Sequence, residues 1–112
     1  MNIEIIGDNL EIDQNLKLII QERLEQPLMK HFKHFADDLL TASMRISENP
    51  HYGYRVNYNM WLPGKKHIFA QNEADKLFSA IVGVRKEAEK QIKDYLRKIN
   101  PNNFKVDKFE LL

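Results

Sequence analysis

The chain has 112 residues, no cysteine, 43% hydrophobic residues and a formal net charge of +1, which is the material of one globular domain. The absence of cysteine excludes disulfides, thiolate zinc sites, thiol nucleophiles and iron–sulfur clusters together. No apolar run approaches the ~20 residues that span a bilayer, and the first residues are acidic, unlike a signal peptide. We therefore expect a soluble, cytoplasmic protein with no membrane partner.

The first third of the sequence predicts a strand followed by a helix. Residues 1–7 alternate apolar and polar side chains, and Gly7-Asp8-Asn9 marks a turn. From Asp13, a predicted N-cap, apolar residues recur at helical spacing to about His34. Pro27 lies inside this helix and is expected to kink it or to end its regular part. The predicted apolar face contains Leu16, Ile19, Ile20, Leu24 and Leu28.

The remaining sequence predicts three strands and a long helix. From Leu40 to Leu62 the apolar residues alternate, with one interruption at Asn49-Pro50-His51, which indicates a long antiparallel hairpin. Pro63-Gly64-Lys65-Lys66 predicts a turn, and His67 to Asn72 predicts a fourth strand. From about Glu73 helical spacing returns and continues to Asn100-Pro101.

The predicted order is therefore β-α-β-β-β-α, an α+β fold. Since each strand has one apolar side to bury, both helices should pack on one face of a mostly antiparallel four-stranded sheet. We expect residues 1–99 to form one domain and residues 100–112 to form a short C-terminal tail.

The second predicted helix carries basic residues opposite its apolar face. At ~100° per residue, four cations fall within a ~60° arc along about 16 Å of helix. This spacing matches a track of successive phosphates. The alternative is an ordinary solvated face, which Glu87, Glu89 and Asp94 partly neutralise. The four cations, here called the basic stripe, are Lys86, Lys90, Lys93 and Arg97, and Arg85 and Lys98 flank them.

Three further groups of basic residues are candidates for binding RNA. Lys65 and Lys66 lie in the predicted hairpin turn beside His67. Arg45 and Arg55 point to the open face of the sheet, which they share with Asn57, Asn59 and Trp61, a composition suited to RNA or to a plain solvated face. The third group ends the first helix, where the helix dipole already explains it, and contains Lys30, His31, Lys33 and His34.

The sequence offers little for catalysis. His31 and His34 lie three residues apart on a helix, but the predicted helix, which ends at about His34, has no third ligand one turn away. Asp37-Asp38 is more typical of a turn than of a paired acid. There is no glycine-rich phosphate loop, and no serine has a nucleophile motif. We therefore expect no enzyme, no cofactor, no metal and no small-molecule substrate.

Several segments, in their order along the chain, resemble the ribosome hibernation-promoting factor family, also called ribosome-associated inhibitors or sigma-54 modulation proteins. The resemblance covers roughly residues 1–98. Its most specific parts are an N-terminal pattern of Ile3, Ile5, Gly7, Ile12 and Leu16, and a last helix that begins with Phe78, Ala80 and Ile81.

The resemblance implies the β-α-β-β-β-α fold and binding to the small ribosomal subunit. The implied site is the channel that tRNA anticodon stems and messenger RNA otherwise occupy, so that translation is blocked without chemistry. It further implies ribosomal RNA contacts for Lys86, Lys90 and Lys93, with Arg97 one turn on and Arg23 on the first helix. The sequence departs from the family where Glu87 and Asp94 replace common lysines.

The tail is too short for the C-terminal dimerisation domain of the family's long members, which indicates the short type. Its Phe104, Val106 and Phe109 are expected either to pack on the domain or to support weak self-association. We predict a non-catalytic, ribosome-binding regulator of translation. The alternative is a protein-interaction module of the same fold, with weakened ribosomal RNA binding, that uses its aromatic hairpin and its tail.

Overall fold

A computed structural model describes residues 2–33, 35, 39–51 and 53–99 of the chain. The predictions made for His34, Asp37-Asp38 and the tail lie outside the described residues. The elements are β1 (Asn2–Asp8), α1 (Gln14–Ile20), a π-helical turn (Gln21–Glu25), α2 (Gln26–Met29), a 3-10 turn (Lys30–Phe32), β2 (Thr41–Asn49), β3 (Gly53–Leu62), β4 (Lys66–Ala74) and α3 (Leu77–Ile99).

The four strands form one mixed sheet in the order β1-β2-β3-β4. The strands β1 and β2 are parallel and are joined by the first helical run, residues 14–32. The pairs β2–β3 and β3–β4 are antiparallel hairpins. This arrangement confirms the predicted β-α-β-β-β-α fold, and among the described residues it leaves β1 and β4 as the edge strands.

The core lies between one face of the sheet and the two helical runs. Strand residues at alternate positions point into it, and α3 supplies a stripe of small and branched apolar side chains. Each large aliphatic side chain that is fully buried contributes about 1.5–3 kcal/mol relative to an exposed one. Among the core residues are Ala42, Met44, Ile46, Val56, Tyr58, Met60, Ile68, Ala80, Ile81, Val84, Ala88 and Ile92.

The first helical run begins as predicted but has an irregular middle. The Asp13 carboxylate accepts a 2.8 Å hydrogen bond from the Leu16 N–H, as an N-cap does. Directly before Pro27, which has no N–H to donate, the Gln26 N–H bonds to the Gln21 carbonyl five residues back. The proline therefore coincides with a π-helical turn, and the run continues beyond it.

Two details of the sequence prediction were wrong. Ile19 was placed on the buried face of the first helix but is 38% exposed, because the buried side of α1 is limited to Leu16 and Ile20. The last helix was expected from about Glu73 but begins at Leu77. The reason is that Glu73 still pairs with Arg55 in the sheet, so β4 extends to Ala74.

Two glycines have positive φ angles in the β2–β3 and β3–β4 connections. Gly53 has φ of 93°, and a Cβ there would collide with the Ala74 carbonyl and lie 2.8 Å from the Asp75 Cα. Gly64 has φ of 83°, but a Cβ there would meet open space. Both positions need a residue that readily adopts the left-handed conformation. Only at Gly53 is the neighbouring backbone also too close for a Cβ atom.

This difference predicts unequal costs for two matched substitutions. Gly53→Ala should lower the free energy of unfolding by about 3 kcal/mol, because backbone strain and collision add. Gly64→Ala should lower it by about 1–2 kcal/mol, the backbone term alone. Urea unfolding of both variants measures the difference, and equal losses would show that the close approach at Gly53 relaxes without cost.

Candidate nucleic-acid interface

The helix α3 runs antiparallel to β4 and is fastened to it by polar contacts. The Tyr95 hydroxyl donates to the Pro63 carbonyl at 2.8 Å, and the Gln91 Nε2 donates to the Phe69 carbonyl at 2.7 Å. Burial raises the pKa of Tyr95, so the hydroxyl keeps its proton for this bond. These contacts fix the rotation of α3, and with it the direction in which its outer side points.

The basic stripe lies on the outer side of α3. All four of its side chains are exposed, whereas Ala88 and Ile92 on the opposite side are buried. Only one stripe residue has an ion pair within the described residues, namely Arg97 with Asp94 at 3.3 Å, and both of these side chains are more than half exposed. Such a pair contributes little stability and yields readily to another anion.

The hairpin turn joins this basic surface at the C-terminal end of α3. A cleft of about 360 Å³ is lined by Lys66 from the turn and by Lys98 and Ile99 from the helix. The sequence placed Lys66 and Lys98 in separate clusters, and the structure brings them to one cleft. Lys65 is exposed beside them with φ of 62°.

A second groove runs between α3 and the edge strand β4. Its volume is about 620 Å³, and Lys86 and Lys90 line its helix side together with Glu87. The Glu87 carboxylate accepts a 3.0 Å hydrogen bond from the Gln91 Nε2. The groove therefore presents two lysines beside a carboxylate that already has a partner.

Arg85 faces the first helical run rather than solvent. Its guanidinium donates to the Glu89 Oε1 at 2.8 Å, and the His31 Nε2 lies 2.8 Å from the Glu89 Oε2. The hydrogen bond from His31, together with the positive charges of Arg85 and Lys93, holds the pKa of Glu89 below its ordinary value. Arg85 is thus part of a polar bridge between the two helical runs.

Arg23 also lies between the two helical runs. Its guanidinium carbon sits 5.2 Å from the centre of the Phe78 ring, at cation–π distance. The Arg23 side chain is exposed, so the same group remains accessible from solvent. Lys30 and Lys33 are exposed at the C-terminal end of this helical run, where their positive charges interact favourably with the helix dipole.

Arg45 and Arg55 lie on the open face of the sheet, as predicted, but both have carboxylate partners. Arg45 pairs with Asp8 at 3.1 Å, and Arg55 pairs with Glu73 at 2.6 Å. The open face is turned away from the helices, so these two arginines are not brought together with the basic stripe. The sequence could not reveal the partners, since they come from the neighbouring strands β1 and β4.

The same face carries an exposed aromatic cluster. Trp61 stacks on His67 with ring centres 5.2 Å apart, and the His67 ring is fixed by a 2.7 Å hydrogen bond with Asn59. Phe69 follows on β4, and Trp61 and Phe69 are 44% and 46% exposed. The buried Asn57 Oδ1 has no hydrogen-bond partner within the described residues.

Sequence reasoning missed the residues that position the stripe rather than belong to it. Gln91, Tyr95, Glu89 and His31 all act through contacts far along the chain. Two local signals were present, since Gln91 lies four residues after Glu87 and Glu89 lies four residues after Arg85, the spacing of neighbours on a helix face. Within the described part of the chain, no group of three or more His, Asp or Glu side chains is placed to hold a metal ion, and no helix there is long and apolar enough to cross a membrane.

Comparisons with known proteins identify one family and two proteins of similar fold. Residues 3–100 match the family described as sigma 54 modulation protein / S30EA ribosomal protein. The Protein Y N-terminal domain from Thermus thermophilus superposes with a TM-score of 0.72 at 27% identity, covering 85% of this chain and 99% of that one. A ribosomal subunit interface protein from Coxiella burnetii has the same fold, with a TM-score of 0.68, 22% identity, and 86% and 98% coverage. No curated protein matches the sequence.

The polar bridge generates a pH prediction. The pKa of Glu89 is lower in the folded state than in the unfolded state. The contacts of its carboxylate therefore stabilise the fold at a pH above the ordinary pKa of a glutamate, and this stabilisation is lost as the pH falls through the lowered pKa. Glu89→Gln should therefore lower the free energy of unfolding by about 1 kcal/mol at neutral pH. Below about pH 4 the variant should lose less stability with falling pH than the wild type does. Urea unfolding across pH measures this, with Glu87→Gln as the control from the exposed side of the helix.

The control variant should keep the wild-type pH profile. If Glu89→Gln also keeps it, then the contact between His31 and Glu89 does not stabilise the protein in solution.

Proposed function

The chain belongs to the sigma 54 modulation protein / S30EA ribosomal protein family, and from this membership we propose that it binds the small ribosomal subunit and keeps ribosomes out of translation. The family and the structural neighbours point to a ribosome-associated hibernation or modulation factor. The finer proposal is that the protein occupies the channel used by tRNA anticodon stems and messenger RNA, in the cytoplasm, where it inactivates or stores ribosomes.

The observation that carries the proposal is the exposed basic stripe on a rigid helix. Because α3 is fastened to β4 through Tyr95 and Gln91, its four cations are held in a row before any RNA binds. A preorganised row loses less entropy on binding than flexible side chains on a loop. Lys98 in the last turn of the helix and Lys66 in the hairpin beyond it add to the row, and such a track favours a nucleic-acid backbone over a small anion.

The proposed mechanism needs no reacting group. A compact domain that fills the channel excludes tRNA and messenger RNA by its volume, and the phosphate contacts only hold it there. We therefore propose a non-enzymatic protein with no cofactor. Of the remaining candidate contacts, Arg23 and Lys65 are exposed and accessible to RNA, whereas Arg45, Arg55 and Arg85 would have to exchange a carboxylate partner for a phosphate.

A second candidate function is a protein-interaction module of the same fold. The open face favours it, because Trp61 and Phe69 are exposed there while Arg45 and Arg55 already have acidic partners. Aromatic side chains are enriched at the centres of protein interfaces. This alternative would place the functional surface on the side of the sheet opposite the basic stripe.

The basic stripe provides the test of the proposed function. Replacing Lys86, Lys90, Lys93 and Arg97 together by Gln should abolish co-sedimentation with purified small ribosomal subunits, because four phosphate contacts are lost. The melting temperature should stay nearly unchanged, since these groups are solvated in the free protein.

A variant with the same change in charge serves as the control. Lys17, Lys30, Lys33 and Lys76 are all exposed and lie outside the stripe. Their joint replacement by Gln should leave most of the binding intact. A folded stripe variant that still co-sediments like the wild type would contradict the proposed function.

A further inference from the structure

The strand β1 has a free edge beside the first helical run. Among the described residues it pairs only with β2, and the Asn2 N–H donates to the Leu40 carbonyl at 3.2 Å, on the β2 side. Backbone groups alternate in direction along a strand, so Glu4 also bonds toward β2, whereas Ile3 and Ile5 present their N–H and C=O groups to the free edge. These groups are available to pair with another strand.

A groove of about 360 Å³ lies between β1 and the first helical run. Ile3 and Ile5 line its strand side, and Ile20 lines its helix side. A Cβ on Gly7 would collide with the Leu10 carbonyl, so the loop after β1 closes the groove at that end. The same two residues of β1 therefore offer backbone groups to the edge and apolar side chains to the groove.

The groove has opposite charges at its two ends. A helix that connects two parallel strands runs back along the first of them, so its last residues lie near the start of that strand. Lys17 and Glu25 both line the groove, and Lys17 is thus placed toward Gly7 and Glu25 toward Ile3. The two ends should therefore accept different side chains.

Glu25 is a partly buried carboxylate with no hydrogen bond or ion pair among the described residues. Burial raises the pKa of the Glu25 carboxyl, and the positive charge of the amino terminus offsets only part of this rise. A carboxylate in such a place costs stability until a cation approaches it. Glu4 and Glu22, which are exposed on the two elements that form the groove, add negative charge around it.

From these observations we propose that the β1 edge binds an extended peptide segment with alternating apolar side chains and a lysine or arginine. The peptide backbone pairs with Ile3 and Ile5, its apolar side chains enter the groove, and its cation meets Glu25. In this mode of recognition the backbone supplies affinity and the alternate side chains supply specificity. Since antiparallel pairing is slightly more stable than parallel pairing, the cation belongs at the carboxyl end of the segment.

This proposal goes beyond the proposed function and does not depend on it. The β1 edge lies at the opposite end of the strand order from β4, against which α3 packs. A peptide on β1 therefore leaves the basic stripe uncovered and the bond from Gln91 to the Phe69 carbonyl intact. The two surfaces can be occupied at the same time.

An NMR titration of the full chain tests the proposal, with acetyl-Thr-Val-Thr-Val-Thr-Lys-amide as the probe. The amide signals of Ile3 and Ile5 should shift when the peptide binds. Near saturation their hydrogen exchange should slow about tenfold, because their N–H groups gain acceptors. The amide of Glu4, which bonds toward β2, should keep its exchange rate.

Matched variants test the role of the carboxylate. Glu25→Gln should weaken binding of the probe about tenfold, because one hydrogen bond between charged groups is lost. Its melting temperature should not fall, since the carboxylate has no partner among the described residues. Glu48→Gln removes an exposed carboxylate from β2 and should bind like the wild type. A probe with glutamate in place of lysine should bind Glu25→Lys more tightly than it binds the wild type.

Equal affinity of the wild type and of Glu25→Gln for the probe would overturn the proposal. Absence of binding, or shifts confined to α3 or to the open face of the sheet, would do so as well. Shifts of Ile3 and Ile5 that grow with protein concentration without peptide would also contradict it, because a second copy would then occupy the edge. These measurements contain no ribosomes, so their outcome is separate from that of the proposed function.

Discussion

The sheet has a single apolar face, and the need to bury that face determines the rest of the structure. Alternate residues of β2, β3 and β4 point to one side, so both helical runs must lie there. The apolar stripe of α3 is buried in this contact. Everything that α3 carries on its other side, including the four cations of the basic stripe, is therefore held outward on a rigid support.

The same constraint divides the surface into regions of different chemistry. The outer side of α3 is basic and continues through Lys98 to Lys66 of the hairpin. The open face of the sheet has aromatic side chains among ion pairs that neutralise Arg45 and Arg55. A polyanion is attracted to the first region more strongly than to the second, which is why we propose α3 rather than the sheet as the RNA-binding surface.

Patterns with a fixed period were predictable from the sequence. The alternation through Met44 and Ile46, the helical spacing around Val84 and Ala88, and the cap at Asp13 all correspond to the structure, because each depends on neighbours a few residues away. The family resemblance is confirmed by the match over residues 3–100. The assignment of individual RNA contacts stays a prediction.

The features that could not be predicted from the sequence depend on contacts between residues far apart in the chain. The exposure of Ile19 follows from how α1 is rotated against the sheet, and the start of α3 at Leu77 follows from the pairing of Glu73 with Arg55. Likewise, the sequence shows Glu89 four residues after Arg85, but it does not show that His31 from the first helical run contacts the same carboxylate. Local periodicity contains no information on such contacts.

The salt dependence of binding to purified small ribosomal subunits tests the role of the basic stripe most directly. Four phosphate contacts should give the logarithm of the binding constant a slope of roughly −3 to −4 against the logarithm of salt concentration. Binding by the full chain that persists at high salt with a slope near zero would indicate an apolar interface, and it would contradict the assignment of RNA binding to α3.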